Sequence, residues 1–193
     1  MILNSFRDQL RVTPFPHACV KEAFDSTISL EILSWLENQA PWSLRIAEFY
    51  EQYEFGFADV ELPEAIAKIF SHETLQILRE KIESIFETKL STQIDITAHK
   101  LITGQRIRIH NDFIPEKETH RVLIQLNRGW TEDNGGVLML FSSKDTNSLH
   151  SIFIPEHNTS VIFEISPISF HAVSPINSGY RYTLVLSFYR ASE

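Results

Sequence analysis

The sequence His110-Asn111-Asp112 places an imidazole and a carboxylate two residues apart. Side chains alternate along a strand, so in an extended segment His110 and Asp112 point to the same side and can bind one metal ion together. With eight His and 25 acidic residues in 193, about one His-x-acid match is expected by chance. The motif therefore needs further ligands before it indicates a metal site.

Two later residues supply that context. His171 lies in the apolar stretch 168–173, and Arg181 lies in the stretch 180–186. A lone His in an apolar strand is more often a hydrogen-bonded core residue, and a buried Arg is as often part of a structural ion pair. With His110 and Asp112, however, His171 completes the two-His, one-carboxylate triad of non-haem iron(II) sites. Arg181 is suited to hold a remote carboxylate through two parallel hydrogen bonds.

The elements that must position these residues change in character near Leu90. Before it, caps at Asp25, Pro63 and Ser71 precede amphipathic spacing, which predicts helices, and residues 11–20 and 43–50 are extended. After it, short apolar stretches separated by turn residues predict about eight antiparallel strands, at 92–102, 105–113, 120–127, 137–141, 149–154, 160–165, 168–174 and 180–189. We therefore expect a mostly β (α+β) jelly roll with helices over one outer face. We expect one domain, 1–193, with 1–90 supporting a core of 91–190.

These pieces together resemble the 2-oxoglutarate- and iron(II)-dependent dioxygenase superfamily, in particular its prolyl-4-hydroxylase-like branch. The resemblance covers about residues 99–190, where His-x-Asp, His, Arg and a Thr two residues later follow in the family's order. The stretch 123–130, Leu-Ile-Gln-Leu-Asn-Arg-Gly-Trp, with Gly135-Gly136 after it, also looks like this branch. So does the opening Pro14-Phe15-Pro16-His17 ahead of a helix.

The resemblance implies a double-stranded β-helix and a role for each matching residue. His110, Asp112 and His171 would bind iron(II), with no catalytic residue beyond these ligands. Arg181 would bind the C5 carboxylate of 2-oxoglutarate, and Thr183 would donate a further hydrogen bond to it. One departure concerns a Tyr that the branch often has before the Gly preceding the first metal-binding His. This chain has Lys100 or Leu101 near that place, so one cosubstrate contact must come from elsewhere.

The same resemblance implies the reaction. O2 would be the oxidant, ascorbate would be a stimulant, and an unactivated C–H bond would be hydroxylated in an amino acid or in a prolyl or other residue of a peptide or protein. Halogenating relatives lack the carboxylate ligand, which leaves a position for chloride. Because Asp112 is present, we expect hydroxylation rather than chlorination.

Strand parity points to residues that contact the substrate. Arg106 and Arg108 share the face of His110, whereas Ile107 belongs to the other face, toward the helices. We expect Arg108 or Arg121 to contact a carboxylate or carbonyl of the substrate; a solvated or ion-paired Arg is the alternative. Trp130 would line the substrate mouth or cover the edge of the core. The other six His are interpreted as surface or structural: His17, His72, His99, His120, His150 and His157.

Composition limits the partners. The net charge of −8 argues against nucleic-acid binding, although residues 99–128 carry six basic and three acidic side chains and suit a small anion. The single Cys19 excludes an intrachain disulfide and favours a reducing, cytoplasmic location. No uncharged apolar run approaches the roughly 20 residues of a membrane span. Residues 1–10 also lack an apolar signal region, so we expect no membrane partner; the oligomeric state is not predicted.

Three alternatives stay open at this point. The first is an oxidase or demethylase of a small metabolite within the same superfamily. The second is a non-catalytic jelly-roll binding module in which His110 and His171 are core residues. The third is a cupin-type metalloenzyme that does not use 2-oxoglutarate, although the His-x-His pattern with a following Glu that is typical of such sites is absent here.

Overall fold

Three helices and eleven strands make up the described part of the chain, residues 10–191 of a computed structural model. Residues 1–9, where a signal region was not expected, and residues 192–193 lie outside that range. The helices are α1 (Ser26–Asn38), α2 (Glu64–Ile69) and α3 (His72–Phe86). The strands are β1 (His17–Lys21), β2 (Ser43–Ile46), β3 (Glu51–Gly56), β4 (Leu90–Ile102), β5 (Ile107–His110), β6 (Glu118–Gln125), β7 (Leu138–Phe141), β8 (Leu149–Phe153), β9 (Thr159–Glu164), β10 (His171–Val173) and β11 (Tyr180–Arg190).

The strands form two antiparallel sheets. The larger sheet has the order β1-β9-β6-β11-β4-β3-β2, and the smaller sheet has the order β5-β10-β7-β8. The eight strands after residue 89 supply four neighbouring strands to each sheet. This arrangement confirms the predicted jelly roll, a double-stranded β-helix. Each of the eight predicted strands is present, although β5 and β10 are shorter than expected.

The helices cover the outer face of the larger sheet, as predicted. Leu36 of α1 and Ile82 of α3 are fully buried in a cluster that also contains Ile124 of β6 and Leu184 of β11. Each such side chain contributes about 1.5–3 kcal/mol when buried. Ser71 caps α3, since its hydroxyl accepts a hydrogen bond from the Thr74 amide. The helical layer therefore holds the larger sheet rigid behind the site.

A second apolar cluster lies between the two sheets. It includes Phe15, Leu101, Leu123 and Phe163. At one edge of this cluster, the turn before β7 packs against the segment after β10 at Gly135, where φ is +68° and a side-chain Cβ would lie 2.2 Å from the Pro175 carbonyl oxygen. Only glycine meets both conditions. The inner faces of both sheets thus enclose a space, and the polar residues predicted to do chemistry border it.

Within residues 10–191, no helix combines the length and the apolar character needed to cross a bilayer.

Candidate active site

The two strands β5 and β10 bring the three predicted metal ligands together. His110 is the last residue of β5, and His171 is the first residue of β10, directly opposite it in the ladder. Asp112 follows β5 in a loop and has a φ of +56°. One ligand atom from each residue lies within 4.8 Å of the others. This spacing is suited to a single metal ion.

The hydrogen bonds of the two imidazoles select the nitrogen that faces the cluster. His110 Nδ1 lies 2.8 Å from the Arg108 carbonyl oxygen, and His171 Nδ1 lies 2.8 Å from that of Ser169. A carbonyl only accepts, so each Nδ1 carries the proton and each Nε2 keeps its lone pair. These lone pairs point toward Asp112, at 3.3 Å for His110 and 3.2 Å for His171. Such carbonyl partners are typical of metal-binding histidines.

Charge and burial keep the ligands in the form that binds a metal. Burial raises the pKa of Asp112, but the guanidinium of Arg121 outweighs it and holds that pKa well below its usual value. Burial lowers the pKa of His171. An ionised carboxylate and a neutral imidazole are therefore present at neutral pH, which is the state that a cation requires.

Arg181 lies in β11, and its side chain is buried. Its Nε donates to the Gly136 carbonyl at 2.8 Å, and its Nη1 donates to Thr183 Oγ1 at 2.7 Å. Its Nη2 is buried and has no hydrogen-bond partner among residues 10–191. Within residues 10–191, these contacts of Arg181 include no carboxylate, and burial lowers its pKa to about 9. A buried cation without a counter-ion is suited to an anionic ligand.

One cavity of about 320 Å³ is bordered by the three predicted metal ligands and by Arg181 and Thr183. The N-terminal strands add residues that the sequence interpretation missed. The Phe49 ring stacks on the His110 ring at 4.4 Å, and Glu54 accepts a hydrogen bond from Gln52 Nε2 at 2.7 Å. Gln52 and Glu54 alternate with Tyr53 and Phe55 in β3. That alternation was a usable signal for a strand with one polar inner face.

His99 also lines this cavity, although the sequence interpretation placed it in the surface or structural group. It lies opposite Thr183 in the β4–β11 ladder, and burial lowers its pKa to about 3. Leu101, at the place where a family Tyr was missing, is buried between the sheets. A polar cosubstrate contact therefore has to come from another strand.

The parity argument for β5 was wrong, and a β-bulge is the reason. Ile107 pairs with Val173 and His110 pairs with His171, so β5 uses one more residue than β10 over this stretch. The extra residue turns Ile107 and His110 to the same cavity. Arg108 is exposed and lines a neighbouring cavity with Arg106 instead. Asp112 joins His110 through its left-handed backbone and not through strand alternation.

Two other predicted substrate contacts have structural partners. Arg121 forms ion pairs with Asp112 and Glu118, which is the ion-paired alternative. Its role here is to hold the Asp112 carboxylate in place. Trp130 donates from Nε1 to the Gly135 carbonyl at 2.9 Å and packs against the inter-sheet cluster. It covers the edge of the core and does not line the cavity of the triad.

Comparisons with known proteins agree with this geometry. The model of the 2OG-Fe(II) oxygenase superfamily matches residues 96–188. The chain is 25% identical over 180 residues to prolyl 3-hydroxylase OGFOD1 of Xenopus laevis and 26% identical over 184 residues to that of Mus musculus. It covers 34% and 33% of these relatives, and they match 90% and 86% of this chain.

Solved structures share the fold. A Pseudomonas putida prolyl-4-hydroxylase superposes with a TM-score of 0.75 at 16% identity, over 91% of this chain and 92% of that one. A prolyl hydroxylase from Trichoplax adhaerens, solved with a hypoxia inducible factor peptide, gives a TM-score of 0.68 at 15% identity, over 90% and 83%. The double-stranded β-helix is therefore common to all three.

Proposed function

We propose that the chain belongs to the 2OG-Fe(II) oxygenase superfamily, whose model matches residues 96–188. It would then be an iron(II)- and 2-oxoglutarate-dependent dioxygenase that hydroxylates a prolyl residue of a peptide or protein. The observation that carries the proposal is one cavity that holds both a His-Asp-His set and an unpaired, buried guanidinium. The names of the relatives favour the prolyl substrate, although this chain spans about a third of their length.

Each residue of the site has a defined task in this proposal. His110, Asp112 and His171 would hold iron(II) through the two Nε2 atoms and the carboxylate. Arg181 would neutralise the C5 carboxylate of 2-oxoglutarate, with Thr183 beside it. Bound iron, with 2-oxoglutarate and O2, supplies the oxidation that turns a C–H bond into C–OH and releases succinate and CO2. The protein orients and shields these groups.

A neighbouring cavity beside the β2–β3 hairpin gives the substrate a proposed place to bind. Phe49 shields the ring of His110 from water. Arg108 stays a proposed substrate contact, since its cavity shares Phe49 and Tyr50 with the site. Asp112 occupies the place of a chloride ligand, so hydroxylation is expected rather than chlorination.

The organisation of the chain supports a single catalytic domain. The cluster under the larger sheet contains residues from α1, α2 and α3 together with residues of four strands of the jelly roll. Residues before 90 therefore support the core of 91–190. A cytoplasmic location is part of the same proposal, supported by the single cysteine and its unreactive setting, since burial raises the pKa of Cys19 to about 11.

The test is turnover with purified protein, iron(II), 2-oxoglutarate and ascorbate. Proline-containing peptides are expected to raise succinate formation and to gain about 16 Da, the mass of one oxygen atom, whereas His171→Ala gives neither result. Free proline and small methylated metabolites are included as competing substrate classes. Succinate formation that responds only to those metabolites would overturn the prolyl assignment and keep the oxygenase.

A further inference from the structure

A second cavity, of about 700 Å³, lies beside β1, β8 and β9. It is distinct from the cavity of the metal ligands, and Leu138 borders both. Its volume is in the range of sites that bind small molecules. The proposed function gives this space no task, and its lining indicates what it could hold.

Strand register places one wall of this cavity on the inner face of the larger sheet. Val161 of β9 lies opposite Leu123 of β6, and both belong to the inter-sheet cluster. Two residues along each strand, Thr159 lies opposite Gln125, and this pair points to the same face. Val161, Thr159 and Gln125 all border the cavity. The Gln125 side chain, which is 2% exposed, therefore belongs to the buried part of the wall.

The hydrogen bonds at Thr183 fix the orientation of the Gln125 amide. Arg181 Nη1 can only donate, so Thr183 Oγ1 accepts from it at 2.7 Å. The single proton of the Thr183 hydroxyl then goes to the Gln125 side chain at 2.9 Å, which must present its oxygen. The other end of the amide, Nε2, is buried and has no hydrogen-bond partner in the described part of the chain. A buried N–H group without an acceptor is costly, so Nε2 is suited to an acceptor on a ligand.

The rest of the lining favours an uncharged and largely apolar ligand. Leu138 and Val161 are buried, and Phe153 of β8 packs against the inter-sheet cluster. The charged residues that border the cavity are all exposed and therefore lie at its rim: Arg11, Lys21, Glu22 and Glu156. An ionised group beside Gln125 would lose its water without gaining a buried counter-ion from these residues. A neutral carbonyl oxygen accepts from an amide N–H without that cost.

We propose that the second cavity is a binding site for a small, uncharged and largely apolar molecule whose carbonyl oxygen accepts a hydrogen bond from Gln125 Nε2. The apolar body of this molecule packs against Val161, Leu138 and Phe153. Gln125 is the specificity-determining residue, because it supplies the polar contact in the buried wall. The inference goes beyond the proposed function and requires neither iron(II) nor 2-oxoglutarate.

The experiment compares two uncharged probes of nearly equal shape. One is acetophenone, and the other is α-methylstyrene, in which a CH2 group replaces the carbonyl oxygen. Titrations followed by NMR of the probes give both dissociation constants, and their ratio is compared between proteins, so the different hydration of the probes cancels. In Gln125→Met, acetophenone binding is expected to weaken about three- to tenfold relative to α-methylstyrene binding, the loss of one neutral hydrogen bond.

Cys19 shows where the probes bind. It is the single cysteine of the sequence, it is partly exposed, and it borders the second cavity but not the cavity of the metal ligands. Bound acetophenone is expected to slow the alkylation of Cys19 by iodoacetamide, as measured by mass spectrometry of the intact protein. The concentration dependence of this protection should give the same dissociation constant as the NMR titration.

Gln125→Glu provides a second variant, which keeps the oxygen to which Thr183 donates and replaces the amide donor by an acceptor. It is expected to weaken acetophenone binding at least as much as Gln125→Met does. Gln76→Met and Gln76→Glu, at an exposed position of α3, are the matched controls and should keep the wild-type ratio of the two dissociation constants.

Three results would overturn the proposal. The first is an unchanged ratio in the Gln125 variants, which would mean that the amide does not contact the carbonyl. The second is binding that leaves the alkylation rate of Cys19 unchanged, because the probes would then lie elsewhere. The third is that neither probe binds, so that the cavity admits water only. Since neither iron(II) nor 2-oxoglutarate is added, these results are independent of those that test the oxygenase.

Discussion

Gly136 and Arg181 contact each other directly, and the small size of the glycine sets the position of the guanidinium. The Gly136 carbonyl accepts a hydrogen bond from Arg181 Nε. The φ of Gly136 is +64°, and a Cβ at this position would lie 3.0 Å from Arg181 Cδ and 2.5 Å from Ile176 Cδ1. The glycine therefore allows the backbone to come close enough to hold the guanidinium. Arg181 is positioned as much by this backbone as by its own strand.

The first prediction concerns Gly136→Ala. The methyl group is expected to displace Arg181, lower the affinity for 2-oxoglutarate about tenfold and reduce the free energy of unfolding by about 1–3 kcal/mol. Gly129→Ala is the control, because Gly129 has a similar φ of +67° and, apart from its chain neighbours, no atom of residues 10–191 lies within 4 Å of its Cβ position. It should lose stability but keep its affinity. Equal affinities in both variants would show that Gly136 does not position Arg181.

At this scale, residue types and spacing together singled out His110, Asp112, His171 and Arg181, and the family resemblance added Thr183; the structure brings all five to one cavity. His and Arg are uncommon inside apolar strands, so His171 and Arg181 stand out in the sequence. His99 was not assigned to the cavity, because a polar residue in a strand has an ambiguous face until the register is known.

At the scale of elements, the β2–β3 hairpin and the bulge in β5 build the wall of the site. Phe49 lies between β2 and β3 and stacks on His110, and its carbonyl accepts from the Arg108 amide at 2.9 Å. The hairpin thus attaches to β5 at the bulge and fixes the imidazole. The eight jelly-roll strands were predictable because turn residues separate them. The bulge was not, since one extra residue leaves no mark in a stretch of alternating Arg and Ile.

The second prediction belongs to this hairpin. Phe49→Ala removes the ring that holds His110, so the affinity for Mn(II) is expected to fall by up to about tenfold, the value of one aromatic pair. Titration calorimetry of the metal gives the measurement. Leu44→Ala, on β2 with a side chain that is 47% exposed, should bind metal as the wild type does. A similar loss in both variants would attribute the effect to the hairpin as a whole.

At the scale of the whole molecule, burial of neutral histidines ties stability to pH. His120 is 1% exposed, packs edge-on against Phe86, and burial lowers its pKa to about 4. The unfolded chain takes up a proton near pH 6.5, whereas the folded protein does not until about pH 4. The folded state therefore loses stability as the pH falls through this window.

The third prediction quantifies that loss. As the pH falls from 6 to 4.5, His120 is expected to lower the free energy of unfolding by about 1.4 kcal/mol for each pH unit. Urea unfolding of the metal-free protein at several pH values measures it. In His120→Leu, the slope of the free energy of unfolding against pH should be smaller by that amount, even if the variant is less stable overall. An unchanged slope would mean that His120 is protonated in the folded state.

We propose that one cavity holds iron(II) and 2-oxoglutarate together, and anaerobic absorption spectroscopy tests this without knowledge of the substrate. Iron(II) and then 2-oxoglutarate are added to metal-free protein. A weak visible charge-transfer band is predicted only when both have been added. Neither addition alone should give the band, and it should be absent from His171→Ala. Folded protein that binds iron but gives no band would contradict the account in favour of a cupin-type site. Folded protein that binds no iron would contradict it in favour of a non-catalytic module.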